Sequence, residues 1–265
     1  MTKSRVNSIS LRALILCVGI GCIRQPCLAA PETDELLQRA GQLVELFWEQ
    51  VPSFACTESV TQAKIGKKGK IEYKQDSVYD YLALTRAQDQ DLTVEELRLL
   101  KKKTRDRPKK PSLLDTNGFP TLLLIFHPLY QANYRFHLDL EGTGDTGMAR
   151  VRFEHIPGRR STSALLTLGR IHPLELQGTA WIEIRTGAIQ KISASMISPM
   201  KEINIESFAV DVEYALQSFS SDVGAQWLPL AAVIELKTAR QHWRNTHTYS
   251  GYKRFSVESM ETVSR

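Results

Sequence analysis

Beyond residue 29, few side chains could serve as nucleophile, general base or metal ligand: one cysteine, Cys56, and six histidines, His127, His137, His155, His172, His242 and His247. A zinc site wants histidines at helical i,i+4 or tight strand spacing, with carboxylate or thiolate partners. The nearest pair, His242 and His247, has an odd separation on an expected strand, which turns the two rings to opposite faces. No H-E-x-x-H, C-x-x-C, G-x-S-x-G or Walker A pattern occurs. Gly142-Thr-Gly-Asp-Thr-Gly147 has the letters of a dinucleotide fingerprint. However, Met148 to His155 reads as a strand where the fingerprint needs a helix N-terminus, so a hairpin loop is expected instead. A lone cysteine on a strand behaves as a small apolar residue, and a thiol enzyme would rest only on Cys56 and scattered histidines. The expectation is therefore no enzyme, no metal site and no cofactor. Aromatics remain: Trp48, Trp181, Trp227 and Trp243, with Phe119 and Phe126, would either line an apolar cavity or fill a core.

The compartment in which this chemistry would operate is written at the N-terminus. Lys3, Arg5 and Arg12 precede an apolar run from Ala13 to Ile23, and small residues surround Cys27 and Ala29 before Pro31. That order is the pattern of a signal peptide over residues 1–29, cleaved before Ala30. The run is shorter than the roughly 18 residues a spanning helix needs. A second reading is acylation at Cys22, after Gly19-Ile-Gly, which would tether the chain to a membrane. Cleavage removes four basic residues and no acid, leaving 30 basic against 29 acidic residues. The basicity of the whole chain thus gives no case for nucleic-acid binding. Cleavage also leaves Cys56 as the sole cysteine, so residues 30–265 must fold on an ordinary apolar core, as a single β-rich domain, without a disulfide.

The elements that would position a site follow from periodicity. Thr33 to Val51 repeats apolar residues at three- and four-residue spacing behind a threonine cap and predicts a helix ended by Pro52. Phe54 to Ile65 and Ile71 to Leu84 predict a hairpin across Gly66-Lys-Lys-Gly-Lys70. Thr93 to Lys103, with glutamates first and lysines last, predicts a short helix. The stretch 101–111 carries seven basic residues and one acid; it reads as a solvated basic loop or as a patch for an anionic surface. Gly118 to Pro128 predicts a short buried helix. Strands are expected at Tyr134 to Glu141, Ala149 to His155, Gly178 to Ile184, Ala188 to Met196, Ile203 to Leu216, Gln226 to Lys237 and Gln241 to Val257, while Thr162 to Gln177 has no clear preference. The fold class expected is α+β, mostly antiparallel β: a strongly curved sheet, or half-barrel, wrapped around a long N-terminal helix.

The hairpin Gly178-Thr-Ala-Trp-Ile-Glu-Ile-Arg-Thr-Gly-Ala-Ile-Gln-Lys-Ile192, the opening Trp227-Leu-Pro229 of a later strand, and the helix before two long strands resemble the lipoprotein-carrier superfamily (LolA/LolB type). The phenylalanine-rich ending of those carriers is absent after Phe255, and the lysine-rich loop is extra. Blocks such as Arg152-Phe-Glu-His-Ile-Pro-Gly158 are similar to uncharacterised exported bacterial proteins. The carrier resemblance implies a periplasmic or secreted binding module whose concave apolar face holds a lipid or an acylated protein. Phe119, Leu122, Leu123, Phe126, Trp181 and Trp227 are the ligand-binding candidates, with Phe119 to Phe126 as a lid. The alternative is an envelope structural or interaction protein with a filled core and no small ligand. Export with cleavage predicts an intact mass that begins at Ala30; a mass retaining Cys22 with acyl groups would select the tethered form.

Overall fold

The computed structural model describes residues 33–50, 53–88, 91–103, 114–116, 118–139, 147–167, 169–219 and 225–254, all within the unit Pro31–Arg265. The expected leader and Cys22, most of the basic stretch 101–111, and residues 142–146 of the glycine loop lie outside these residues. Helix α1 (Thr33–Gln50) buries Leu36, Leu37, Ala40, Val44, Phe47 and Trp48, the one face that their three- and four-residue spacing dictates.

Long strands follow. β1 (Ser53–Ile65) and β2 (Ile71–Gln88) form the expected hairpin, and β3 (Asp91–Lys103) pairs antiparallel with β2. This corrects the reading of Thr93 to Lys103 as a helix. Its residues favour helix by a few tenths of a kcal/mol each, but ten of the eleven find cross-strand partners between Ser77 and Arg86. The next segment, Phe119–Phe126, is a 3₁₀ helix with seven buried residues, as a helix apolar on every side must be. The short α2 (Pro128–Gln131) follows it.

The remaining strands are β4 (Tyr134–Asp139), β5 (Met148–His155), β6 (Ala164–Thr167), β7 (Arg170–Pro173), β8 (Leu176–Glu183), β9 (Ile189–Met196), β10 (Ile205–Gln217), β11 (Gln226–Thr238) and β12 (His242–Arg254). Ten of the strands form one open antiparallel sheet in the order β3-β2-β1-β12-β11-β10-β9-β8-β5-β4. β6 and β7, within the stretch that had no clear preference, pair only with each other. The first and last strands meet in mid-sheet, where β1 pairs with β12 from Phe54↔Arg254 to Lys64↔Trp243. Pro229 lies inside a central strand, where it cannot donate a ladder bond. There the β10–β11 register shifts between Glu213 and Tyr214, and Tyr252 Oη donates to the Pro229 carbonyl. The fold is thus mostly antiparallel sheet with few helices, and no helix among the described residues is long and apolar enough to cross a membrane.

α1, the 3₁₀ helix, α2 and the inward residues of the sheet share one buried cluster. Phe126 packs against Phe136 and Phe153 with ring centroids 5.4 and 5.9 Å apart. Gln131 Nε2 ties α1 to the 3₁₀ helix by donating to the carbonyls of Leu37 and Phe126. At the β8–β9 turn, Gly187 has φ +81°, and a Cβ there would come within 2.7 Å of the Arg39 carbonyl carbon. Gly187→Ala therefore meets both a left-handed backbone and helix α1, and should lower stability by about 2–4 kcal/mol. Gly169, at φ +75° with nothing within 4 Å, should lose only about 1–2 kcal/mol as alanine. Urea denaturation midpoints of the two variants check the difference.

Candidate functional site

Alternation along β1 turns Phe54, Cys56, Glu58, Val60 and Gln62 inward. A glutamate at the centre of such a face is costly unless its charge and both oxygens are satisfied. Two strands supply partners to Glu58, which is fully buried. From β3, Arg98 donates Nε to Oε2 at 2.5 Å and Nη2 to Oε1 at 3.0 Å. From β12, His247 Nδ1 lies 2.8 Å and Tyr249 Oη 3.0 Å from Oε1. Arg98 reaches Glu58 across β2, with its guanidinium 5.1 Å from the centroid of Tyr81.

Hydrogen-bond valence fixes the protons. A carboxylate only accepts, so His247 Nδ1 carries hydrogen; the neutral ring's Nε2 then accepts from Thr116 Oγ1 at 2.7 Å. Thr116 Oγ1 in turn receives Asn245 Nδ2 at 3.1 Å. The result is a hydroxyl–imidazole–carboxylate relay from Thr116 to Glu58. Burial keeps His247 neutral by lowering its pKa, against the raising effect of Glu58. Burial by itself would raise Glu58, but hydrogen bonds from His247 and Arg98, with the Arg98 charge, outweigh it and hold the carboxyl at about 2. Such a relay can polarise the Thr116 hydroxyl. It also fastens the 114–118 segment to the sheet, together with Gln62 Nε2 and Asn245 Nδ2, both of which donate to the Leu114 carbonyl.

This network borders a cavity of about 680 Å³. One part of its wall is apolar, with Leu176 from β8, Ile205 and Val210 from β10, Ile234 and Leu236 from β11, and Phe119 and Leu122 from the 3₁₀ helix, while hydroxyl residues such as Thr121, Thr162, Ser163 and Thr238 line another part. Its charged lining residues, Glu96, Arg98 and Asp115, sit only where β3 and the 114–118 segment contribute. Glu96 Oε1 accepts the Gly118 backbone N–H at 2.5 Å, and Oε2 lies 3.3 Å from Arg98 Nη2 without the geometry of a hydrogen bond. Burial raises the pKa of Glu96, against the Arg98 charge and the Gly118 N–H.

Of the six residues expected to bind ligand, Phe119 and Leu122 lie on the cavity wall. Leu123 and Phe126 are buried in the core cluster, and Trp227 packs half-buried against that cluster without reaching the cavity wall. Trp181 alternates with Ala180 and Ile182, whose side chains are in the core, so it faces the other side, with Lys191 Nζ 5.6 Å from its ring. His242 and His247 also face opposite ways, His242 pairing with Glu235. Cys56 is a buried thiol pushed up to about 12, chiefly by burial and then by the Glu58 charge, which removes it as a thiolate at neutral pH. Among the described residues, no group of three or more His, Cys, Asp or Glu could hold a metal ion.

Glu58, Glu96, Arg98 and Thr116 escape sequence reasoning, and the meeting of Glu58 with Arg98 and Glu96 depends on β3 being a strand. The signal was there: Leu92, Val94, Glu96 and Arg98 fall at every second position, as one strand face requires.

No family model matches the chain, and no curated protein matches it. Among solved structures, the chain is similar to a DUF1329 family protein from Desulfovibrio piger, with 12% identity and a TM-score of 0.40, over 85% of this chain and 94% of that one.

His247 and Glu58 both bind protons less tightly folded than unfolded, so each adds stability that is lost as pH falls. The His247 share should fade below its ordinary pKa of 6.5, and the Glu58 share between 4.5 and about 2. His247→Gln should remove the upper part of this decline, apart from the share of His127, whose pKa burial also lowers. Denaturant midpoints measured across pH test this; identical curves for the variant and the wild type would count against it.

Proposed function

We propose that this chain is an exported binding module whose cavity holds the apolar chain of a lipid or of an acylated protein. One observation carries the reading: a cavity of about 680 Å³ with a continuous apolar wall beside charged and hydroxyl residues. That is the size and lining of small-molecule sites, typically about 300–1,000 Å³. The leader pattern and the resemblance to lipoprotein carriers support the same reading. In it, the open sheet is a half-barrel around α1 and the 3₁₀ helix, and the 3₁₀ helix is the lid, with Phe119 and Leu122 touching the ligand. The alternative of an envelope protein with a filled core is disfavoured by the space between Leu122 and the wall formed by Leu176, Val210 and Leu236.

Each buried methylene contributes about 0.8 kcal/mol, so a chain of about twelve yields roughly 10 kcal/mol. Association costs of about 4–15 kcal/mol oppose it, which favours long or paired acyl chains.

Protein purified from an envelope fraction without detergent should release an amphiphile on organic extraction, seen by mass spectrometry. The fluorescent apolar probe N-phenylnaphthylamine should bind saturably, and Val210→Phe together with Leu236→Trp should weaken it by about tenfold or more by occupying the cavity. Absence of both an extracted amphiphile and probe binding would overturn the reading.

A further inference from the structure

We propose that the charged end of the cavity is a recognition site for a primary ammonium group at the head of an apolar chain, with Glu96 as its counter-ion. The inference rests on the cavity's proposed use and names the kind of head its ligand carries.

Charge comes first. Glu58 and Glu96 are both buried, with side-chain exposures of 0% and 3%, and one guanidinium, Arg98, stands between them. Arg98 commits Nε and Nη2 to Glu58, and His247, kept neutral by burial, adds no cation. One positive charge thus faces two carboxylates, and the excess negative charge falls on Glu96, on the cavity wall. A buried charge without full compensation costs several kcal/mol. The raised pKa of Glu96 is the same deficit seen from the proton's side.

Valence then says what kind of group is missing. Glu96 Oε2 is buried without a well-formed hydrogen bond, with Arg98 Nη2 3.3 Å away and the Tyr81 hydroxyl beside the carboxyl, and Asn245 Oδ1, whose amide donates to the Leu114 carbonyl and to Thr116, has no partner. Both atoms can only accept. The complement is a donor that also carries positive charge. An ammonium supplies three donors and one charge, whereas a carboxylate or phosphate head would meet acceptors and an excess of negative charge. An inorganic cation has no ligand set here, since no cluster of three or more ligating side chains exists among the described residues. The apolar wall of Leu176, Val210, Ile234 and Leu236 borders the same cavity, so an alkyl tail attached to the ammonium has a surface to bury against.

Calorimetric titration of the full chain near pH 7 with dodecylamine, dodecanol, dodecyltrimethylammonium and dodecanoate, each below its micelle concentration, tests the assignment. Dodecylamine should bind about tenfold or more tightly than dodecanol, as a charge-assisted hydrogen bond to a buried carboxylate requires. The quaternary amine, which has the charge without donors, should bind more weakly than dodecylamine, and dodecanoate most weakly. Glu96→Gln should abolish the preference for amine over alcohol. Equal binding of amine and alcohol to the wild-type chain, or a preference that survives Glu96→Gln, overturns the ammonium site and leaves the apolar cavity standing. If Glu96→Gln does not fold, the wild-type ligand series decides alone. Binding of none of the four overturns the cavity reading itself.

Discussion

Everything near the cavity depends on the solvation of one buried carboxylate. Stripping water from Glu58 costs several kcal/mol unless partners replace it, and the replacements come from β3 and β12, on either side of β1 in the sheet. A one-residue slip of either strand would turn Arg98 or His247 to the opposite face and leave Glu58 bare. The register of four strands, β3-β2-β1-β12, is therefore tied to a single charge. This weighs against helix formation in β3: propensity differences there amount to tenths of a kcal/mol per residue, against several for an abandoned buried ion.

The same centre places the 3₁₀ helix. His247, Asn245 and Gln62 fasten Leu114 and Thr116, and Gly118, at φ +82°, turns the chain into Phe119. Tyr214 Oη then donates to the Phe119 carbonyl from within the core, while Phe126 closes the far end among Phe136 and Phe153. A helix held at one end by polar bonds and at the other by aromatic packing cannot sink onto the wall of Leu176, Val210 and Leu236. The cavity is the space that this suspension leaves.

How much of this could be read in advance follows from the range of the interactions involved. β5, β8, β9 and β11 show in the sequence within two residues of their ends, because alternation and glycine turns are local signals. α1 shows for the same reason. β3 does not, because Glu95-Glu96-Leu97-Arg98-Leu99-Leu100 suits a helix locally and becomes a strand only by pairing with β2. The site was less legible still: Glu58 meets His247 across 189 residues, and the parity of His242 and His247 showed only that one of them must face inward. Phe119 and Leu122 were recognisable as apolar residues beside prolines, yet nothing local separates them from Leu123 and Phe126, which the core absorbs. The choice between wall and core is made by the suspension of the helix, which depends on residues far away in the chain.

The cavity is partly open to solvent. The chain therefore cannot keep this space empty in solution; water or a ligand must fill it. Water is well served where Glu96, Arg98, Asp115, Thr116 and the hydroxyls of Thr121, Thr162 and Ser163 offer hydrogen bonds; against Val210, Ile234 and Leu236 it has few partners. In the proposed reading, an apolar chain replaces that poorly bonded water and a head that donates hydrogen bonds meets the polar part of the wall. On this physics, a buried ion network at one end of an unfilled apolar space is a coherent arrangement for an amphiphile: the Glu58 network holds the space open, and contact between the apolar wall and water provides the drive to fill it.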